Sequence, residues 1–173
     1  MTKAPTSHHA KRRRLESRCV SLPERPQAWV FWFDSTHPSV TQLQHFIDSL
    51  PEIERDDLWG RIQALRDLAA GGRLPDTPEF IKAMRPESAS VAVPTLFELR
   101  WQVDLSHQAV PIRQYHVEPD DLPDVLLALH IHIKRIDGDQ EHITRLQDQE
   151  IAFARARFIQ GSQQALSMQG YNL

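Results

Sequence analysis

Three short stretches of the chain concentrate side chains that can handle phosphate and protons. They are Glu98-Leu99-Arg100-Trp101, Arg113 with Tyr115, and His130, His132, Lys134 and Arg135. Metal-free cleavage of RNA needs a base for the ribose 2′-OH, cations for the crowded phosphate and an acid for the departing 5′-oxygen. Arg100, Arg113 and Arg135 suit the phosphate, and Lys134 or His130 suits the base or acid role. Tyr115 and His132 are expected to touch the RNA, with Tyr115 read otherwise as a packing residue of the fold rather than as an acid. Only RNA carries that internal nucleophile, so such a site is RNA-specific by its chemistry. A terminal run, Lys11-Arg12-Arg13-Arg14, offers further phosphate contacts. Plainer readings stand beside these: Arg100 paired with Glu98, and Lys134 and Arg135 as edge charges that discourage strand addition. His130 and His132 together with His116 form an alternative, metal-binding set, but the chain has one cysteine and no convincing third-ligand spacing, so no metal and no cofactor is expected.

These groups meet only if the segments that carry them are neighbouring strands. Phe97, Leu99, Trp101 and Val103 alternate with Glu98, Arg100 and Gln102, the period of a strand with one buried face. Ile112 to Val117 reads as the returning strand. Val125, Leu127, Leu129, Ile131 and Ile133 then face one way, with His130, His132 and Lys134 on the other. Upstream, Trp29 to Phe33 reads as a first strand and Val40 to Leu50 as a helix. A second helix starts near Pro51 and stops at Gly71-Gly72, forming an antiparallel hairpin with the first. Phe80-Ile81 is either a short strand or a packed loop. A last helix begins with Asp139 as N-cap and carries Ile143, Leu146, Ile151, Ala154 and Phe158 as its stripe. The expected fold is α+β: a small, mainly antiparallel sheet covered on its apolar face by an N-terminal helical hairpin and a C-terminal helix, its polar face partly open.

At 173 residues the chain suits one domain with tails: a flexible basic arm over 1–27, a domain over 28–160 and a frayed end over 161–173. Residues 1–25 hold seven Lys/Arg against two Glu, leaving +5, while the remaining 13 Lys/Arg against 21 Asp/Glu leave −8. Attraction to a polyanion must therefore come from the arm or from a local cluster. No apolar run approaches the roughly 18 residues of a membrane span and no signal sequence follows the basic start, so a cytoplasmic protein is expected.

The order of motifs resembles the HigB-like branch of the RelE/ParE toxins of bacterial and phage toxin–antitoxin modules, over roughly residues 29–158. Phe46-Ile47-Asp48-Ser49-Leu50-Pro51 is similar to that family's Phe-Leu-x-x-Leu-Pro entry, and Leu68-Ala69-Ala70-Gly71 to the end of its second helix. Glu98-Leu99-Arg100-Trp101 resembles the Glu-Leu-Arg strand, and Arg113 the arginine of the next. Leu129-His130 through Lys134-Arg135 resembles the Leu-His-x-Phe-x-Lys-Lys segment, and Glu150-Ile151 with Ala154 and Arg157 the closing helix. Departures are Gly138-Asp139-Gln140, where a Lys-Thr-Pro is common, and His132 in place of an aromatic residue. The resemblance implies a RelE-like fold and a ribosome-associated messenger-RNA endonuclease whose site holds Arg100, Arg113, His130, Lys134 and Arg135. It also implies a helix-turn-helix antitoxin encoded by an adjacent gene. The alternative is a catalytically inactive interaction protein on the same scaffold, or a decayed phage-borne relative.

Overall fold

The computed structural model describes residues 17–21, 23, 25–84, 94–106 and 108–169, the last seven as backbone only. The arginine run at 11–14 lies outside the described residues. Among those described, the strands are β1 (Ala28–Phe31), β2 (Ile81–Ala83), β3 (Leu96–Asp104), β4 (Ala109–Val117) and β5 (Val125–Ile133). The helices are α1 (Pro38–Ser49), α2 (Glu52–Ala70) and α3 (Gln140–Gln169). One sheet runs in the order β1-β5-β4-β3-β2. β3, β4 and β5 form the antiparallel meander that their alternation predicts, and the undecided Ile81 opens a short antiparallel edge strand opposite Leu99. β1 lies parallel to β5, pairing only with Val125–Ala128. The fold is α+β with a mostly antiparallel sheet.

Turn chemistry sets the helix ends. Pro38 occupies the first turn of α1 and His37 caps it, accepting from the Ser39 N–H. Pro51 precedes α2, and Glu52 and Glu54 complement its N-terminal dipole. The chain leaves α2 through Gly72 at φ 62°, a conformation that glycine adopts without steric cost. Asp139 Oδ1 accepts from the His142 N–H at 2.8 Å, the expected cap of α3.

Helix placement corrects the expected architecture in two ways. The N-terminal helices do not zip into a hairpin; each docks on the sheet, α1 along β5, and α2 on β1, β3 and a 3-10 turn at Arg18–Val20. Their buried residues Leu43, Ile47, Leu58 and Ile62 share one core with Leu99, Trp101, Ile112 and Leu126. Each such side chain contributes about 1.5–3 kcal/mol by leaving water. The third helix lies on the opposite face, where Ile151, Ala154 and Phe158 pack with Leu96, Tyr115, Val117, Leu127 and Leu129. The polar face is therefore covered, because the stripe of α3 needs an apolar partner and this face supplies one.

Strand β5 departs from simple alternation. Tyr115 pairs with His130 but His116 pairs with Ala128, leaving Leu129 as an extra residue in a bulge. Leu126, Ile131 and Ile133 consequently belong to the core under α1 and α2, whereas Val125, Leu127 and Leu129 join the core under α3. The five-residue apolar series expected on one face is thus divided between two.

Order also begins earlier and ends later than expected. Ser17–Val20 docks against the sheet, burying Cys19 completely; the Leu74 N–H donates to Cys19 O at 3.0 Å. The last helix continues through Gly161, where a Cβ would stand 2.1 Å from the Trp32 ring, so only glycine lets the helix pass this close. No helix among the described residues is long and apolar enough to cross a membrane.

Candidate nucleic-acid cleft

The pairing of β3, β4 and β5 sets Arg100 opposite Arg113 and Arg113 opposite His132, on the face that α3 covers. Glu98, fully buried, is the electrostatic centre of this group. Arg100 Nε and Nη2 donate to its Oε2 at 2.8 and 2.5 Å, Gln147 Nε2 donates to Oε1 at 3.3 Å, and Arg113 Nε stands 3.5 Å from Oε1. Arg100 Nη1 also donates to Pro78 O at 2.8 Å, and Arg113 Nη1 to Ile112 O at 2.8 Å and Trp101 O at 3.1 Å. The structure brings Arg100 and Arg113 together as expected, but ties them to a carboxylate. Lys134, half-buried, comes directly after the end of β5; burial first, then Arg113, pushes its ammonium pKa down, with Glu98 opposing. Arg135 is exposed.

Beside the cations, the rings of Tyr115, His130 and His132 stack at 5.5–6.4 Å between centroids. All three are buried, which corrects the expectation of an open polar surface. The Tyr115 hydroxyl lies near Gln147 without a well-formed hydrogen bond, and burial holds it protonated by raising its pKa strongly. His130 Nε2 meets Glu150 Oε2 at 2.5 Å, and Ser39 Oγ donates to Glu150 Oε1 at 2.5 Å. Burial alone would raise the Glu150 carboxyl, but the bonds to His130 and Ser39 prevail and bring its pKa down to about 2. His132 shifts to about 4, chiefly because burial disfavours its cation, with Glu150 opposing. His37 packs edge-on against His130 at 4.9 Å, and burial, then the field of His130, lowers its pKa.

α1, α3 and the end of β5 enclose a cleft of about 340 Å³. His37, Ser39 and Gln42 form one wall, His132, Lys134 and Arg135 the second, and Ile143, Gln147 and Glu150 the third. A larger, shallow depression of about 700 Å³ on the outer side of α3, from Gln140 to Ala152, does not gather groups of this kind. Of the sequence-predicted site residues, His132, Lys134 and Arg135 line the cleft, Arg113 and Arg100 stand behind it, and Tyr115 and His130 lie beneath α3.

His37, Ser39, Gln147 and Glu150 were not expected here. In the sequence, Gln147 and Glu150 fall on the stripe side of α3, four residues before Ile151 and Ala154 respectively, and Glu150 also opens the Glu150-Ile151 segment singled out in the closing helix. The histidine trio considered for a metal is separated: His116 lies on the other sheet face, against Trp29 and Phe97. Among the described residues, two other groups could converge on an ion, His37 with His130 and Glu150, and Cys19 with His116 and Glu118. No protein-family model matches the chain. No solved structure matches it either.

Proposed function

We propose that this cleft grips the phosphodiester backbone of RNA and cleaves it through 2′-OH attack, as a HigB-like toxin of the RelE/ParE type acting on messenger RNA, free or on the ribosome. The observation that carries the reading is that His37, Lys134 and Arg135 rim one cleft lined also by Glu150, which His130 holds from behind at 2.5 Å. His37, kept neutral near pH 7 by its lowered pKa, has its one ring lone pair on Nδ1, where the Ser39 N–H donates at 3.3 Å, and is suited to take the 2′-OH proton there when that long contact is given up. Lys134, with its ammonium pKa pushed down, is suited to neutralise the phosphate and return a proton to the 5′-oxygen. Arg135 adds an exposed phosphate contact. Arg113 and Arg100 act from behind through their charge, and His130 positions Glu150. The nucleophile belongs to the substrate, so this chemistry needs no metal. In this reading the protein works in the cytoplasm and a helix-turn-helix antitoxin encoded beside it covers the cleft.

A second reading, a non-catalytic interaction protein on the same scaffold, is favoured by one observation: Glu98 already engages both Arg100 and Arg113. Induced expression of the wild type beside His37→Ala, Lys134→Ala and Arg113→Ala separates the two. The nuclease reading expects growth arrest and cut transcripts from the wild type. It expects a loss of about 100-fold or more in cleavage by purified His37→Ala or Lys134→Ala. Equal growth and intact RNA in all four cultures would leave only the interaction reading.

A further inference from the structure

At the opposite end of the sheet, the 3-10 turn and the end of β4 bring together three ligand-type side chains that the cleft does not use. Cys19 Sγ lies 3.5 Å from His116 Nε2 and 3.5 Å from Glu118 Oε1, and His116 Nε2 lies 3.4 Å from the same oxygen. Cys19 and His116 are fully buried, and the Glu118 side chain is 5% exposed. Tetrahedral zinc holds sulfur at about 2.3 Å and nitrogen or oxygen at about 2.0 Å, which sets neighbouring ligand atoms about 3.3–3.6 Å apart. All three separations fall in that range. The His37–His130–Glu150 group does not: His130 Nε2 and Glu150 Oε2, at 2.5 Å, are closer than two ligands of one zinc ion come and form a hydrogen bond instead.

We propose that Cys19, His116 and Glu118 form a zinc site, with a water as fourth ligand. Ser17 Oγ donates to Glu118 Oε1 at 2.6 Å and so orients the carboxylate from outside the ligand set. Binding displaces the thiol proton to solvent, and the thiolate and carboxylate together balance the dication. The ion and its ligands are then neutral together, with the Arg18 guanidinium remaining 3.7 Å from Glu118 Oε2. The ligand frame is held from outside: Glu118 Oε2 accepts from the Arg18 N–H at 2.7 Å, Gln27 Nε2 donates to Arg18 O at 3.3 Å, and Cys19 O accepts from the Leu74 N–H. The ion would tie the N-terminal turn to β4 across about a hundred residues of chain, a span at which a crosslink constrains the unfolded state strongly.

The test is a cobalt titration of the full chain after chelator treatment. The expected result is one ion per chain, a thiolate-to-cobalt charge-transfer band, tetrahedral visible bands, displacement by zinc, and a higher melting temperature with either metal. Cys19→Ser should remove the charge-transfer band and weaken binding by more than the roughly 10- to 100-fold that an outer-shell partner is worth. Glu118→Gln should keep the band and weaken affinity. Absence of a thiolate band in the wild type at saturating cobalt overturns the site, as does tight binding that Cys19→Ser leaves unchanged. Should either variant fail to fold, the wild-type spectrum with zinc analysis of the purified chain decides alone.

Discussion

Replacing Glu98 by Gln tests how the polar layer beneath α3 is held. The carboxylate takes two hydrogen bonds from Arg100 and one from Gln147, and faces Arg113 at 3.5 Å, with no exposure to solvent. The side chains of Arg100 and Arg113 are only 20% and 12% exposed, so water cannot replace the lost partner easily. Breaking a buried pair in this way costs about 3–5 kcal/mol, because the remaining cation stays desolvated. An amide keeps one acceptor oxygen, which places the expected loss at the lower end, about 3 kcal/mol. At about 2–4 °C per kcal/mol for a chain of this size, the melting temperature should fall by about 6–12 °C. Thermal and urea unfolding at neutral pH would measure it. A cycle with Arg113→Gln and the double variant should show a coupling of about 1–3 kcal/mol between the two positions. Glu98→Gln melting within about 1 °C of the wild type, with an additive cycle, would refute the view that one carboxylate organises these cations.

Acid should destabilise the protein through two groups that act in the same direction. His132 has a folded pKa of about 4, below the ordinary imidazole value of 6.5, so the unfolded chain takes up the proton first and stability falls as pH drops between those values. Glu150, at about 2 against 4.5, gives stabilisation that is present above 4.5 and lost as pH falls toward 2. Because Glu150 stands at the mouth of the cleft, solvent screens part of this contribution. Urea midpoints measured across this range should fall steadily with acid, and His132→Gln should flatten the limb above about pH 4. At Gly72, a Cβ would meet Ser21 O at 2.0 Å in a left-handed conformation, so Gly72→Ala should cost about 2–3 kcal/mol in thermal melts. Gly60→Ala is the control: a Cβ there meets nothing within 4 Å, and helix propensity should stabilise α2 by up to about 1 kcal/mol.

What the sequence revealed was mostly local. Strict alternation from Phe97 to Val103 located β3 and the phase of its side chains. Pro51, Gly71-Gly72 and Asp139 marked helix ends through turn chemistry that operates over a few residues. The fate of the polar face was not legible, because Ile151, Ala154 and Phe158 describe an apolar stripe without saying which sheet face it meets. The inserted residue of β5 was equally hidden: Ala128, Leu129 and Ile131 are all apolar, so the pattern carried no mark of a phase change. His37 joined the cleft through the fold alone, since it caps α1 while approaching β5. Glu98 was weighed as a partner for Arg100; that it also faces Arg113 follows from the register of β3 against β4. The turn at Cys19 sat in a polar, proline-rich stretch whose composition suggested a loose arm, and its order depends on contacts with Leu74, His116 and Glu118, far along the chain.

The kink at Leu129 makes β5 unusual among the strands in its tolerance of length. Excising that one residue would restore strict alternation and leave Leu126 and Ile131 toward the α1–α2 layer, with Leu127 and His132 toward α3. A deletion at any other interior position would invert the stretch between it and the kink, sending apolar groups to where imidazoles belong. The strand that delivers His132 and Lys134 to the cleft thus has a single seam at which its reading frame of inside and outside can be reset.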